Sequence, residues 1–263
     1  MDYSESEEIQ VVNNGIFVEG EFDQTEHTFK KIVSSLNQTF KIATVENQCL
    51  VSDSFKRLLG INWLDDEVIN FYIRLISKKL QDQQIFFANT FFYVELQRGF
   101  ANVGSAYRNT NLLKLKMFCI PIHVGGNHWC SIICYMQEKK IEYFDSYGTK
   151  NIDAIMNIKK YIEKLSTLCQ EDFDTREWAC VWSKRIPIQK NTYDCGVFML
   201  QCLRSVLFSP NYDPSFTEED IPKFRMTMMF EILCKKLFED YELPNFLSNP
   251  NLINEVHETN ICL

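Results

Sequence analysis

Glycine and proline are scarce in this chain, nine and seven among 263 residues, which excludes collagen-like and low-complexity architectures. Histidine is scarcer, with four, so imidazole chemistry must draw on His27, His123, His128 or His257. No apolar run approaches the roughly 18 residues needed to cross a bilayer, and no polybasic segment suggests a membrane surface. The opening Met1-Asp2-Tyr3-Ser4-Glu5 lacks the basic and apolar regions of a signal peptide. A soluble chain, neither secreted nor membrane-inserted, is the expectation. None of the ten cysteines has CxxC spacing. Cys130 and Cys134 would share one face of a strand, where buried thiols are common. No zinc site, no other metal and no cofactor is expected, and the thiols should be mostly reduced and structural, as in the nucleus or cytoplasm.

Positive charge is also in short supply, with 27 Lys and Arg against 35 Asp and Glu. Residues 1–40 hold eight acids against Lys30 and Lys31, and residues 241–263 hold three acids and no base. The middle of the chain is therefore almost neutral. Nucleic-acid binding, which needs a dense Lys/Arg face, is not expected. The charge divides the chain into an acidic extension (1–40), a folded domain (41–240) and an Asn-rich tail (241–263).

What is present is ample core material: 46% hydrophobic residues and 21 Phe, suited to one large domain or two small ones. In the extension, a short strand near Gly15–Val18 and a helix near Thr28–Leu36 are expected. Residues 61–80 predict an amphipathic helix through Leu64, Val68, Tyr72, Leu75 and Ile76, capped by Asn62. Strands follow at Met117–Val124, His128–Met136 and Ile141–Ser146, then a helix over Ile152–Leu168 and a short strand at Arg185–Ile188. Helices over Val197–Leu207 and Pro222–Leu237 complete an α+β pattern with no internal repeat.

Three residues, with two more beside them, suggest chemistry. His27 and His257 lie in the acidic ends, and His123 reads as a core or edge histidine. His128 instead opens a strand just after Gly125-Gly126-Asn127, where an imidazole is accessible yet held. Asp145 ends the next strand of the hairpin and so falls beside the start of the strand that His128 opens. A carboxylate there would orient the ring and stabilise imidazolium. Cys195 precedes an apolar helix, whose N-terminal N–H groups favour thiolate. Gly196 permits close approach of a substrate carbonyl. Gln189 offers a side-chain donor for an oxyanion. Nucleophile, base and orienting acid run in the order His, Asp, Cys.

The blocks Trp63-Leu64-Asp65-Asp66-Glu67-Val68, Gly126-Asn127-His128-Trp129, Tyr143-Phe144-Asp145-Ser146-Tyr147-Gly148 and Gln189-Lys190-Asn191-Thr192-Tyr193-Asp194-Cys195-Gly196 resemble the Ulp/sentrin-specific family of SUMO proteases. So do Asn89-Thr90-Phe91-Phe92 and Phe216-Thr217 through Phe224-Arg225 and Met228, in the family's order over roughly residues 41–238. The resemblance implies a papain-like α+β fold with a central, mostly antiparallel sheet. It implies a triad of His128, Asp145 and Cys195, with Gln189 in the oxyanion hole. Trp63 and Trp129 match the tryptophans that close over a modifier's C-terminal Gly-Gly, and Asp66 matches a position facing its basic surface. Gly196 belongs with these substrate-binding residues. The implied activity is a monomeric cysteine endopeptidase and isopeptidase that matures SUMO or removes it from target lysines. Alternatives are NEDD8 or ubiquitin as the modifier, a non-catalytic modifier-binding module, and an acetyltransferase on a related fold. Arg108 is followed by Asn109 and Thr110 where the family often has Arg-Trp, so part of the modifier-binding surface should differ.

Overall fold

The computed structural model describes residues 33–81, 83–104, 112–171, 174–208 and 216–238. His27, His257, residues 108–110, the strand expected at Gly15–Val18 and the 241–263 tail lie outside the described residues. Of the helix expected near Thr28–Leu36, residues 33–35 are described and helical. The chain divides into two compact units. One holds the described residues up to Leu75 together with those from Asp220 onward; the other is Ile76–Glu219.

The first unit opens with an antiparallel hairpin of β1 (Lys41–Val45) and β2 (Gln48–Val51), which the sequence reading did not anticipate. The short helix α1 (Ser52–Phe55) and a 3₁₀ turn (Lys56–Leu58) follow. Helix α2 (Asp66–Lys79) begins five residues later than the periodicity suggested. Asp65, not Asn62, caps it: Asp65 Oδ1 accepts from Val68 N at 3.0 Å and its carbonyl from Ile69 N at 3.2 Å. Asn62 instead donates to the Leu59 carbonyl at 2.9 Å, closing a turn before the helix. Acids in the first turn and Lys78 and Lys79 in the last follow the helix dipole.

The second unit is built on a five-stranded sheet in the order β3 (Ile85–Phe87), β4 (Met117–Val124), β5 (His128–Tyr135), β6 (Lys140–Phe144) and β7 (Ala179–Trp182). The central pairs β4–β5 and β5–β6 are antiparallel hairpins, and the outer pairs β3–β4 and β6–β7 are parallel. The α+β class stands, with a sheet that is antiparallel at its centre and parallel at its two short edges. Parallel edges need long connections, and those connections carry helices α3 (Phe91–Arg98), α4 (Phe100–Gly104) and α5 (Ile152–Cys169). Every residue of β5 is buried, as expected for a middle strand covered on both faces. Ile120, Ile122, Ile132 and Tyr143 of the sheet share a core with Phe92, Ile155, Ile158 and Tyr161. Phe92 meets Phe118 and Tyr161 edge to face, at centroid distances of 5.4 and 5.0 Å.

The strand expected at Arg185–Ile188 is absent, and the fifth strand is β7 instead. Pro187 has no N–H to give a ladder. Beyond it the Gln189 N–H is used by the Ser146 carbonyl at 2.9 Å. Helix α6 (Cys195–Phe208) then packs against β5. In the first unit, helix α7 (Ile221–Cys234) stops three residues short of the expected Leu237, with Lys235 left-handed at its C-cap. Its Arg225 is buried, donating to the carbonyls of Arg57 and Asn62 at 3.0 and 2.9 Å. Its buried Glu231 accepts from Tyr72 Oη at 2.5 Å and Phe238 N at 2.8 Å.

Candidate active site

The β4–β5 turn sets the position of His128. Gly125 and Gly126 have φ of +60° and +76°, and Asn127 N donates to the Val124 carbonyl at 3.2 Å. Two successive positive φ values give the tight turn whose twist matches a hairpin, which favours glycine at both places. His128 is thereby the first residue of β5. The β5–β6 ladder pairs Ser131 with Phe144, so Asp145 leaves β6 beside the opening of β5. The two side chains meet there, with His128 Nε2 2.7 Å from Asp145 Oδ1. Both residues are buried.

Asp145 has donors on both oxygens. Oδ1 also accepts from Tyr147 N at 2.8 Å, and Oδ2 accepts from Thr149 Oγ1. Burial alone would raise its pKa; the hydrogen bonds from His128, Thr149 and Tyr147 N–H outweigh it and hold the carboxyl below its ordinary range. For His128, burial alone would lower the pKa. The Asp145 hydrogen bond and the thiols of Cys130 and Cys195 beside the ring together outweigh it, and hold the imidazole protonated far above its ordinary range. With Nε2 committed to Asp145, the other nitrogen, Nδ1, is buried and has no hydrogen-bond partner.

Cys195 is the first residue of α6 and is buried. The Asp194 carbonyl accepts from Phe198 N at 3.0 Å, so the helix proper begins at Cys195. The amides of a first turn have no acceptor within their own helix. A thiol beside an imidazole at the start of a helix is placed to act as a nucleophile. Cys130 has a raised pKa because it is buried, and burial also raises Cys119, Cys134 and Cys202. These are inert thiols by comparison. Among the described residues, His128, Cys130 and Asp145 place one ligand atom each within 4.8 Å of one another. Both carboxylate oxygens of that group already accept hydrogen bonds from protein donors.

Gln189 lies on the loop leading to Cys195 and is buried. Its Oε1 accepts from Ser146 Oγ at 2.5 Å, and its Nε2 donates to the Asn191 carbonyl at 2.8 Å. An amide nitrogen has two hydrogens, so one is left for an incoming oxygen. Asn191 shapes the loop: its Oδ1 accepts from Tyr193 N and Asp194 N, both at 3.1 Å, and its Nδ2 donates to Asp194 Oδ2 at 2.8 Å. Glu218 Oε1 braces the same loop by accepting from the backbone N–H groups of Lys190 and Asn191.

Gly196 is buried, directly after Cys195. Trp129 is only 5% exposed and stacks on His123 at 4.1 Å with 13° between the rings. His123 is thus not a bland core residue but the backing of an indole. Trp63 and Asp66 belong to the other unit. The Trp63 indole is 43% exposed, just before α2, and Asp66 is the first residue of that helix. Sequence reasoning missed Ser146, Tyr147, Thr149, Asn191 and Glu218. A signal existed for two of them. Asn191 followed by Tyr193 and Asp194 has the spacing of an Asx turn, and Thr149 trails Asp145 by one tight turn. Glu218 gave none, since it reaches the loop from a distant part of the chain.

An imidazole clamped by a carboxylate beside a helix-start thiol is the equipment for nucleophilic acyl transfer. The chain belongs to the Ulp1 protease family: residues 62–237 match its C-terminal catalytic domain. It is 33% identical over 192 residues to a sentrin-specific protease of Caenorhabditis elegans, covering 68% of this chain and 26% of that protein. It is 31% identical over 200 residues to sentrin-specific protease 3 of Homo sapiens, covering 75% and 34%. The chain thus spans about a third or less of the length of these relatives. Among solved structures, the C-terminal Ulp1 protease domain in complex with Smt3, the yeast ortholog of SUMO, superposes with a TM-score of 0.68 at 22% identity, covering 80% of this chain and 94% of that one. Ulp1 with its catalytic cysteine oxidised to a sulfenic acid gives 0.69 at 23% identity, covering 85% and 99%. These likenesses establish the fold.

Proposed function

We propose that the chain is a SUMO-specific cysteine protease acting on the bond after the modifier's C-terminal Gly-Gly. The observation that carries this reading is the His128–Asp145 hydrogen bond with the Cys195 thiol beside the same imidazole, in a chain of the Ulp1 family. Cys195 Sγ attacks the scissile carbonyl as thiolate, and His128 Nδ1 holds the proton it gave up. The tetrahedral oxyanion is met by the Cys195 N–H and the spare Gln189 Nε2 hydrogen. His128 passes its proton to the departing amine, leaving a thioester. Water, deprotonated by His128, then hydrolyses the thioester and frees Cys195. Asp145 fixes the ring plane and stabilises imidazolium throughout.

Recognition of the tail follows from glycine's lack of a side chain, which lets flat aromatic faces close on the backbone. Trp129, backed by His123, and the exposed indole of Trp63 are the residues we assign to that task, with Asp66 facing the modifier's basic surface. The names of the matched relatives and the Ulp1–Smt3 complex favour SUMO over other modifiers. The test is a panel of SUMO, NEDD8 and ubiquitin carrying a C-terminal fluorophore. Release from SUMO at a rate at least about tenfold above the others supports the reading; equal or faster release from ubiquitin or NEDD8 overturns it.

A further inference from the structure

The turn after β6 holds a residue that the mechanism above leaves unused. Tyr147 stacks on the His128 imidazole, with centroids 4.3 Å apart and 21° between the rings. Its N–H donates to Asp145 Oδ1, the same oxygen that holds His128 Nε2. Its phenol donates to the Asn191 carbonyl at 3.1 Å, and that carbonyl also receives Gln189 Nε2. One residue therefore touches the acid, the base and the loop of the oxyanion donor. Tyr147 is 38% exposed while His128 is 8% exposed, so the phenol ring is the layer between the imidazole and solvent.

We infer that Tyr147 is a positioning residue for the protease reaction: it fixes the plane of the His128 base and keeps water off the His128–Asp145 bond. The inference rests on the protease reading above. An aromatic face within about 6 Å attracts a cation, so the ring favours the imidazolium that forms when Cys195 ionises. Without the ring, the exposed face of the imidazole opens to water, which competes for Nε2–H and Oδ1. The base then loses both its fixed tilt and its dry hydrogen bond. Because the phenol shares an acceptor with Gln189, its removal also loosens the loop that aims the oxyanion donor. A core-packing role would show itself differently, as lost stability with intact chemistry per folded molecule.

Three variants of the full chain separate these possibilities. Tyr147→Leu keeps apolar bulk but no ring plane, Tyr147→Ala removes both, and Tyr147→Phe keeps the ring while losing the bond to Asn191. Steady-state kinetics on a SUMO fusion should show kcat lowered by tens-fold in the Leu and Ala variants, in line with the roughly hundredfold that a misplacement of about 1 Å costs, with KM within about threefold. Tyr147→Phe should lose only a few-fold. The second readout is the far-downfield proton resonance of His128 Nε2–H, recorded without substrate. It should stay sharp in Tyr147→Phe and broaden by exchange with water in Tyr147→Leu. If Tyr147→Ala fails to fold, the Leu variant carries the test. A sharp, unshifted resonance with wild-type kcat in Tyr147→Leu overturns the inference. Should the wild-type chain cleave no SUMO, the protease reading fails, while the resonance still decides whether Tyr147 shields the pair.

Discussion

Replacing Asp145 by Asn keeps the shape of the side chain and removes its charge. The fold around it can be kept. One amide oxygen still accepts from His128 Nε2 and Tyr147 N, and the amide nitrogen falls where Oδ2 met Thr149 Oγ1, a hydroxyl that can turn to accept. What is lost is the charge on a hydrogen bond between two buried groups. Bonds to charged partners contribute about 1.5–3 kcal/mol, roughly twice the neutral value. The imidazolium should therefore lose about 1–1.5 kcal/mol, or about one unit of pKa at 1.36 kcal/mol per unit. The alkaline limb of the pH–rate profile, which reports loss of imidazolium, should move down by about one unit. Well below that limb, where the imidazole stays protonated in both proteins, kcat/KM should change much less than it does on the limb itself. Stability should follow the same groups. His128, with its pKa raised by folding, contributes in full below its ordinary value near 6.5 and loses that contribution as pH climbs through its elevated folded value. Asp145, with its pKa depressed, contributes above its ordinary value near 3.9 and loses that as pH falls through its folded value. The Tm gap between wild type and Asp145→Asn should be widest in the window between the two and narrow toward acid and toward strong alkali. Thermal melts and initial rates across that range form the assay. A variant with the wild-type alkaline limb and a Tm gap independent of pH would refute the reasoning.

Glu218→Ala removes the brace from the Lys190 and Asn191 amides; kcat should fall several-fold with little change in KM or Tm, measured on a SUMO fusion. Trp129→Ala should damage both properties, because the indole is 95% buried yet assigned to the substrate tail. Calorimetry should show a loss of about 3–5 kcal/mol, and activity corrected for the folded fraction should still fall at least tenfold. Gly148→Ala forces an L side chain to φ +66° and puts its Cβ 3.2 Å from Ile188 Cδ1. Denaturant unfolding should register about 1–2 kcal/mol, with the strain centred on the turn that carries Tyr147.

The chemistry was legible in the sequence because its elements are local. Gly125-Gly126-Asn127 gave the turn before His128, and short hairpins forced β5 and β6 into adjacency, so Asp145 could be paired with His128 without seeing the fold. The helix after Cys195 was visible as an apolar run. What was hidden depends on distant partners. The parallel edges β3 and β7 are short strands whose pairing is set by long connections, and neither has alternation enough to stand out. The Arg185–Ile188 segment looked like a strand by composition, but the Gln189 N–H after it is used outside the ladder, on Ser146. Helix α2 was extended too far because Ile61 and Leu64 continue its apolar pattern, while Asp65 is what terminates it. Tyr147 could not be singled out because no local pattern says that a side chain in a turn will lie flat on an imidazole.

The central claim is that Cys195, alone among ten cysteines, attacks the carbonyl that ends a SUMO tail. It is tested most directly by incubating the chain with SUMO whose C-terminal Gly-Gly carries an electrophilic trap in place of the scissile bond, then mapping the adduct by mass spectrometry. The account expects a single SUMO-sized addition, on Cys195, absent in Cys195→Ser and far slower with a ubiquitin trap. An adduct on Cys130 or any other thiol, or no adduct with SUMO while ubiquitin reacts, would contradict it.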